Sequence, residues 1–424
     1  MKKISIILLT SILLLTFVIL QSCTQTKTSY LEKNRFNLTS SDFDFPQKDF
    51  KIIGFGAYHG SSKTEDVELK LLESLTKEGT IKYYLPEVDY STAHFFNHFL
   101  QTGDTTLLKE LVVYNGYHTP QERTIEFYEK WKKIKTLNDS LPLESKIKVL
   151  GIEWIRNYRY VSKHLLELVE DDNETLTPIT EIKEMVKLDT TSYSLGDLSF
   201  TYHKLKGLIV DYEEKKELYK SKINDVKVFE HILKNIKTSF EKKVNREEVI
   251  YENYLNLSSI YDFKNKPQFM RIGFFHLEKS RAGKKGNPSF FTRLIENEIY
   301  PKDKVLSIIG YLTNSKVVWD ETCDDKGNYS GYTVEAGYGI GDYEKEYFRG
   351  IQNLKDNKIS EKTLFRLNKK ESPYIINEPD LIEVIMKDEK SNGDAVKGMS
   401  TLDFLDYAIL ISDSKESIPI YEMK

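Results

Sequence analysis

Cysteine is nearly absent from this sequence, with 2 residues in 424, Cys23 and Cys323. A disulfide framework is therefore excluded as the source of stability, and a chain of this length must rest on a buried core. Cys323 lies in "DETCDDKG", among acids that disfavour a thiolate, which argues against a cysteine nucleophile. No Gly-x-Ser-x-Gly occurs, so the serine elbow of the Ser-His-Asp hydrolases has no candidate. Positive charge is not in excess. Lys and Arg number 61 against 65 Asp and Glu, a formal charge of −4, which is no footprint of a nucleic-acid binder. No repeat with a period of 20 to 50 residues is visible, which removes solenoids and propellers.

One long apolar run is present, and it opens the chain. Lys2 and Lys3 precede Ile4 to Leu20, and "LQSC" ends at Cys23. A basic start, an apolar stretch and a small residue before a cysteine form a secretory signal of the bacterial lipoprotein type. The run is at the short edge of what a retained membrane helix needs. Residues 1–23 are thus predicted to be a signal peptide, with lipidation at Cys23. The protein is expected on a membrane of the bacterial cell envelope, exposed outside the cytoplasm. Residues 24–48 are polar and read as a tether, and 49–424 as one domain.

Beyond the tether, strand-like and helix-like text alternates. "DFKIIGFG", "IKYYLPEV", "KIKVLGIEW", "PQFMRIGFF", "KVLSIIGYL" and "DYAILI" read as strands. Residues 91–101, 119–137 and 288–298 and the segment "KTEDVELKLLESLTKEG" read as helices. Strands separated by helices imply an α/β fold with a mostly parallel central sheet flanked by helices. Residues 160–262 are lysine-rich with helical periodicity, and are read as a helical insertion.

Gly-x-x-His occurs twice just past a strand, at Gly56–His59 and Gly273–His276. Glu87 and Glu153 end two further strands. In open α/β sheets, ligands bind at the carboxyl ends of the strands. Two imidazoles and carboxylates at one rim suit general acid–base chemistry, or a two-His-one-carboxylate metal site formed by His59, Glu87 and His276. Arg246 and Asn253 are seven apart in "REEVIYENYLNL" and share a helix face, where Arg246 would clamp a carboxylate or stabilise an oxyanion. Tyr58, Glu153 and Asn253 are candidate substrate-binding residues. His94 and His98 also share a helix face and could bind metal, but they lie in Phe-rich text and are read as packing. His118 is read as a loop residue within reach of a ligand. His164, His203 and His231 stand beside lysines and are read as solvated.

The stretches "GAYHG", "YLPEVDYSTAHFFNHFLQTGD", "LGIEW", "REEVIYEN" and "GFFH" follow one another as in the erythromycin esterase family. The chain resembles that family, within a wider group that includes the Tiki/TraB proteases and ChaN-like haem-binding lipoproteins. The resemblance spans about residues 50–312, and "FLDYAILI" is similar to the family's last strand. It implies a hydrolase that cleaves an ester, lactone or amide of a small molecule with water. In that reading His59 is the general base, Glu87 orients it or the water, and His276 and Arg246 stabilise the oxyanion. No cofactor is required by it, though a divalent metal could activate the water. The alternatives it leaves open are a Tiki/TraB-like metal-dependent peptidase, a haem- or metal-binding lipoprotein using Tyr58 and the aromatic-rich "STAHFFNHF", and a non-catalytic relative. One position departs from the family pattern. The glutamate three residues before the first histidine is Gly56 here.

Overall fold

The computed structural model describes residues 27–77, 79, 81–170, 176–188, 193–336, 342–387 and 391–424. The predicted signal segment and Cys23 lie outside the described residues.

Twelve strands are found among the described residues, and eight form the central sheet. In chain order the strands are β1 Arg35–Asn37, β2 Ile52–Gly56, β3 Tyr83–Leu85, β4 Lys148–Val149, β5 Gln268–Arg271, β6 Val305–Thr313, β7 Val317–Cys323, β8 Tyr329–Glu335, β9 Glu346–Phe348, β10 Lys362–Arg366, β11 Val384–Met386 and β12 Tyr407–Ser412. The spatial order in the central sheet is β1-β10-β12-β6-β2-β5-β3-β4. Every pairing from β12 to β4 is parallel, while β10 runs antiparallel to both β1 and β12. The expected mostly parallel α/β sheet is therefore present.

Both faces of this sheet are covered, which explains why its strands read as continuous apolar runs rather than alternating ones. Ile52, Leu85 and Met270 point into one hydrophobic cluster, and Ile53, Phe55, Tyr84 and Phe269 into the other. Helices Ser62–Thr76, Tyr90–Thr102, Thr105–Asn115 and Ile125–Ser140 build the second cluster around buried Phe96 and Trp131, whose rings stack at 3.9 Å. The first cluster lies under the helices between residues 159 and 260, namely Arg159–Glu167, Thr177–Leu188, Phe200–Glu214, Lys216–Lys220, Val226–Ser239 and Arg246–Ile260.

The sequence reading differs from the structure at three places outside the site. The stretch read as a tether is built into the body. Lys27 pairs with Glu378 and Asp380 at 2.6 and 2.9 Å, β1 adds an edge to the sheet, and Leu31, Leu38, Phe43 and Phe45 are buried. Its apolar residues are spaced by polar ones, and its partner strand is more than 300 residues away, so no local pattern marks it. His164 and His231, read as solvated, are 2% and 1% exposed. Each lies on the inner face of an amphipathic helix whose lysines point outward. The strand read across "KIKVLGIEW" is only two residues long, and the chain then crosses the sheet rim as an irregular loop through Glu153.

Candidate active site at the strand-end rim

β2, β5, β3 and β4 are consecutive neighbours, so the residues just past their carboxyl ends are brought together. His59 follows β2, His276 follows β5, Glu87 follows β3 and Glu153 follows β4. Pro86 has no N–H to continue the ladder and ends β3 there. Past β5 the chain turns into a single 3-10 turn, Phe274–Leu277, which carries His276. That turn crosses directly over Gly56. A Cβ at Gly56 would stand 2.5 Å from Phe274 Cα, so no side chain fits at this position. The glycine at this position thus has a steric reason, because the backbone of the second histidine turn lies against it.

Carboxylates reach His59 from elsewhere. Its Nδ1 lies 2.7 Å from Glu122 Oε1, and its Nε2 lies 3.4 Å from Glu87 Oε2. An ionised carboxylate only accepts, so Nδ1–H donates to Glu122. Glu122 is held on its other oxygen by Asn115 Nδ2 at 2.7 Å. Burial and the Arg271 guanidinium push the His59 imidazole down, but the charge and hydrogen bonds of Glu122 and Glu87 outweigh them and raise it to about 9. Glu122 itself is pushed up by burial and drawn below its ordinary value by His59, Lys130 and Arg271.

Glu87 is 7% exposed and holds three partners. Oε1 accepts from Arg246 Nη2, while Oε2 accepts from the Gly273 N–H at 3.0 Å and faces His59. Burial raises its carboxyl, yet His59, Arg246 and His276 together keep it well below the usual carboxylate range. Arg246 opens the helix Arg246–Ile260, capped by Asn245, whose Oδ1 accepts from the Glu247 N–H at 3.1 Å. Its guanidinium bridges Glu87 to Glu153, with Nε 3.1 Å from Glu153 Oε2 and Nη2 2.6 Å from Oε1. Nη1 has no hydrogen-bond partner among the described residues. His276 contacts Glu247 through Nδ1. Burial lowers its imidazole, and the hydrogen bond and charge of Glu247 more than reverse that. Two residues on, burial pushes the Glu278 carboxyl up to about 7, with the Glu247 charge adding to it.

A buried ionic layer supports this rim. Lys130 Nζ lies 2.6 Å from Glu65 and 2.7 Å from Glu68, and Arg271, 1% exposed, lies 3.5 Å from Glu68. Arg271 Nη2 stands 3.4 Å from His59 Nδ1, so the layer abuts the imidazole from below.

His59, Glu87, His276 and Arg246 are thus brought to one rim. Glu153 is 1% exposed, and both its carboxylate oxygens accept from Arg246, so it positions the guanidinium. Asn253 is 3% exposed, and its Nδ2 donates to the Ile152 and Glu153 carbonyls at 3.1 and 3.4 Å and to Asn235 Oδ1 at 2.7 Å. Arg246 and Asn253 share a face, as the spacing predicts, and both use it to fix the β4 loop. Tyr58 is half-buried and packs against the second core cluster. His118, read as a ligand contact, lies 3.2 Å from Asp89, the cap of helix Tyr90–Thr102. The residue that sequence reasoning missed is Glu122. It sits at the end of the 3-10 turn Pro120–Glu122, ahead of the helix Ile125–Ser140, inside a stretch read as one helix over 119–137, and no strand end marks it.

The Nδ1 atoms of both rim histidines face carboxylates. His59 Nδ1 is on Glu122 and His276 Nδ1 on Glu247. The ligand atoms of His59, Glu87 and His276 do not gather within 4.8 Å of one another, a closeness that the set His94, His98 and Glu167 reaches among the described residues.

Beside the rim, a groove of about 650 Å³ runs from Trp154, one residue past Glu153, to Asn245, one residue before Arg246. Trp154, Ile155, Leu195 and Val244 give it apolar walls.

No protein-family model matches the sequence, and no curated protein matches it. Solved structures do match in shape. A protein from Bacillus cereus superposes with a TM-score of 0.63 at 16% identity, covering 93% of this chain and 99% of that one. A succinoglycan biosynthesis protein gives 0.63 at 11% identity, covering 94% and 99%. The erythromycin esterase EreC, in an open conformation, gives 0.57 at 12% identity, covering 91% and 98%. At these identities the fold is what is shared, and it is shared over nearly the whole length of each chain.

Proposed function

We propose that the protein is a hydrolase that uses water to cleave an ester, lactone or amide of a small organic molecule, with His59 as the general base. The observation that carries this reading is the placement of His59, half-buried with Nδ1 on the Glu122 carboxylate and Nε2 turned toward the Glu87 side of the rim. A base held in one tautomer by a third group is the arrangement that water activation requires. Nε2 of neutral His59 takes a proton from water as the water oxygen bonds to the carbonyl carbon. The carbonyl oxygen gains the electron pair and faces Arg246 Nη1 and His276. The tetrahedral adduct then reforms the carbonyl, and the leaving alkoxide or amine takes the proton back from His59. Glu87 holds Arg246 on one oxygen and steadies the imidazolium on the other. The groove that ends at Asn245, with apolar walls and the charged residues Glu241, Lys242 and Lys243 in its lining, supports a substrate with an apolar body and polar groups.

We also propose that the protein is a lipoprotein anchored through Cys23, on the strength of the leader "LQSC". Among the described residues no helix is long and apolar enough to cross a membrane.

The test of the catalytic reading is hydrolysis of a panel of chromogenic esters and macrolactones by the wild type and His59→Ala. The expected result is turnover by the wild type and a loss of about 10²–10⁴-fold in the variant, with unchanged circular dichroism. A folded variant that keeps its rate removes His59 from the mechanism.

A further inference from the structure

A second cluster of imidazoles lies away from the rim. His94 and His98 are one turn apart on helix Tyr90–Thr102, and Glu167 ends the helix Arg159–Glu167 that packs against it. Glu167 Oε2 lies 2.7 Å from His94 Nε2 and 3.5 Å from His98 Nε2, and the three ligand atoms fall within 4.8 Å of one another. An ion pair between one histidine and one glutamate would need only a single imidazole. Here one carboxylate oxygen faces two, both presenting Nε2.

The rings are held in place from behind. His94 stacks on buried His164 with centroids 3.7 Å apart and planes 11° apart. His164 is in turn fixed by Ser91 Oγ at 3.2 Å from its Nδ1 and by stacking on Tyr90 at 5.6 Å. Such support orients a metal ligand without adding one. Ligand atoms about 2.0–2.2 Å from a tetrahedral zinc-like ion stand roughly 3.3 Å from each other. The His98–Glu167 spacing of 3.5 Å already has this value, and the His94–Glu167 pair needs to open only slightly.

The surroundings indicate what the remaining coordination position would face. His94 and His98 line a cavity of about 420 Å³ whose wall also carries Lys82, Lys146 and Lys148. Lys82 and Lys146 donate only to backbone carbonyls, and Lys148 lies 4.4 Å over the Tyr261 ring. None of the three makes a close ion pair among the described residues, and only Lys148 feels a nearby carboxylate charge, that of Asp225, so the cavity wall is rich in positive charge.

We propose that His94, His98 and Glu167 form a divalent transition-metal site, distinct from the strand-end rim, whose open coordination position takes an anionic oxygen ligand from the lysine-lined cavity. Two imidazoles and one carboxylate with a free position favour zinc or cobalt over magnesium or calcium. The anion would offset the lysine charge that otherwise opposes a cation there.

The experiment is calorimetric titration of the full chain with zinc chloride, for the wild type, His98→Asn and Glu167→Gln, with melting curves to confirm that the variants fold. His98 and Glu167 are partly exposed, so both changes are tolerable. Zinc should bind the wild type, and each variant should bind it roughly 10–100-fold more weakly or worse, since losing a ligand costs at least as much as losing its support. Any zinc taken up by the rim histidines is unaffected by these substitutions and appears equally in all three titrations. In the cobalt form, added sulfate should shift the visible d–d bands, and Lys82→Ala should weaken that response. Equal zinc affinity in all three proteins, or none in the wild type, overturns the site. Zinc binding with no spectral response to sulfate overturns the anion ligand.

Discussion

In the proposed mechanism the proton on His59 decides when the rim is competent. Its imidazole titrates near 9 in the folded chain, above an ordinary value near 6.5, so at neutral pH it is mostly the imidazolium. A general base must be neutral, and the active fraction therefore rises with pH. We expect kcat/KM to climb about tenfold per pH unit below the folded value and to level off near 9, because kcat/KM reports the free enzyme. Glu122→Gln removes the nearer of the two charges that hold the proton. The limb should then move to lower pH, and titration of the His59 ring followed by NMR should move with it. A profile that falls through neutral pH toward 9 would assign His59 to acid rather than base. The same shift acts on stability. A raised folded value stabilises fully below about 6.5 and loses that contribution as pH rises through about 9. Glu87 and Glu122 have the opposite sign, stabilising above the ordinary carboxylate range and losing it as pH falls toward their depressed folded values. Three of these residues were legible, since His59, Glu87 and His276 each follow an apolar run that ends in glycine or proline. Glu122 was not, because it reaches the imidazole from a 3-10 turn 63 residues away.

The elements that deliver these side chains fit with little room to spare at β2. Gly56→Ala would push a methyl group to within 2.5 Å of the Phe274 backbone. Since that atom belongs to the backbone rather than to a flexible side chain, the turn Phe274–Leu277 has to move and take His276 with it. Overpacking of this kind costs roughly 1–3 kcal/mol. We expect a lower midpoint in urea with unchanged slope, and a rate loss exceeding what the stability loss explains. Normal activity in the variant would show that the position of His276 is not critical. Gly151 is similarly placed, with a Cβ meeting the Asp89 carbonyl oxygen at 2.2 Å, which is how the β4 loop closes on the Glu87 turn. Strands of this sheet were readable because burial on both faces makes them continuous apolar runs. Their lengths were not, as β4 shows, because its last residues leave the ladder to fix Arg246 through Glu153. The edge strand β1 escaped notice for a different reason. Three residues carry too little pattern, and the pairing Arg35 to Phe365 is invisible to any local window.

At the scale of the molecule, the inclusion of residues 27–48 in the fold changes what a lipid at Cys23 would mean. The described chain begins at Lys27, which is tied to Glu378 and Asp380, and three residues separate it from Cys23. A trans chain spans at most about 3.6 Å per residue, so the body would lie within roughly 14 Å of the anchored cysteine. The segment is therefore structural and not a spacer. Removing residues 27–48 would expose the β10 edge and the seats of Leu31, Leu38, Phe43 and Phe45, and unpaired edges of this kind aggregate. We expect that truncation to yield insoluble protein. Cys23→Ser leaves all of those contacts in place. It should yield a folded protein that is found in the soluble fraction or kept in unprocessed form, while the wild type partitions with membranes and incorporates labelled palmitate. A single acyl chain gives only marginal binding, so firm membrane retention of the wild type requires more than one chain on the cysteine. A wild-type protein recovered without lipid, with an amino terminus upstream of Cys23, would leave the leader as an uncleaved segment and remove the anchor. The two variants separate the causes, because truncation perturbs the sheet edge and Cys23→Ser perturbs only the attachment.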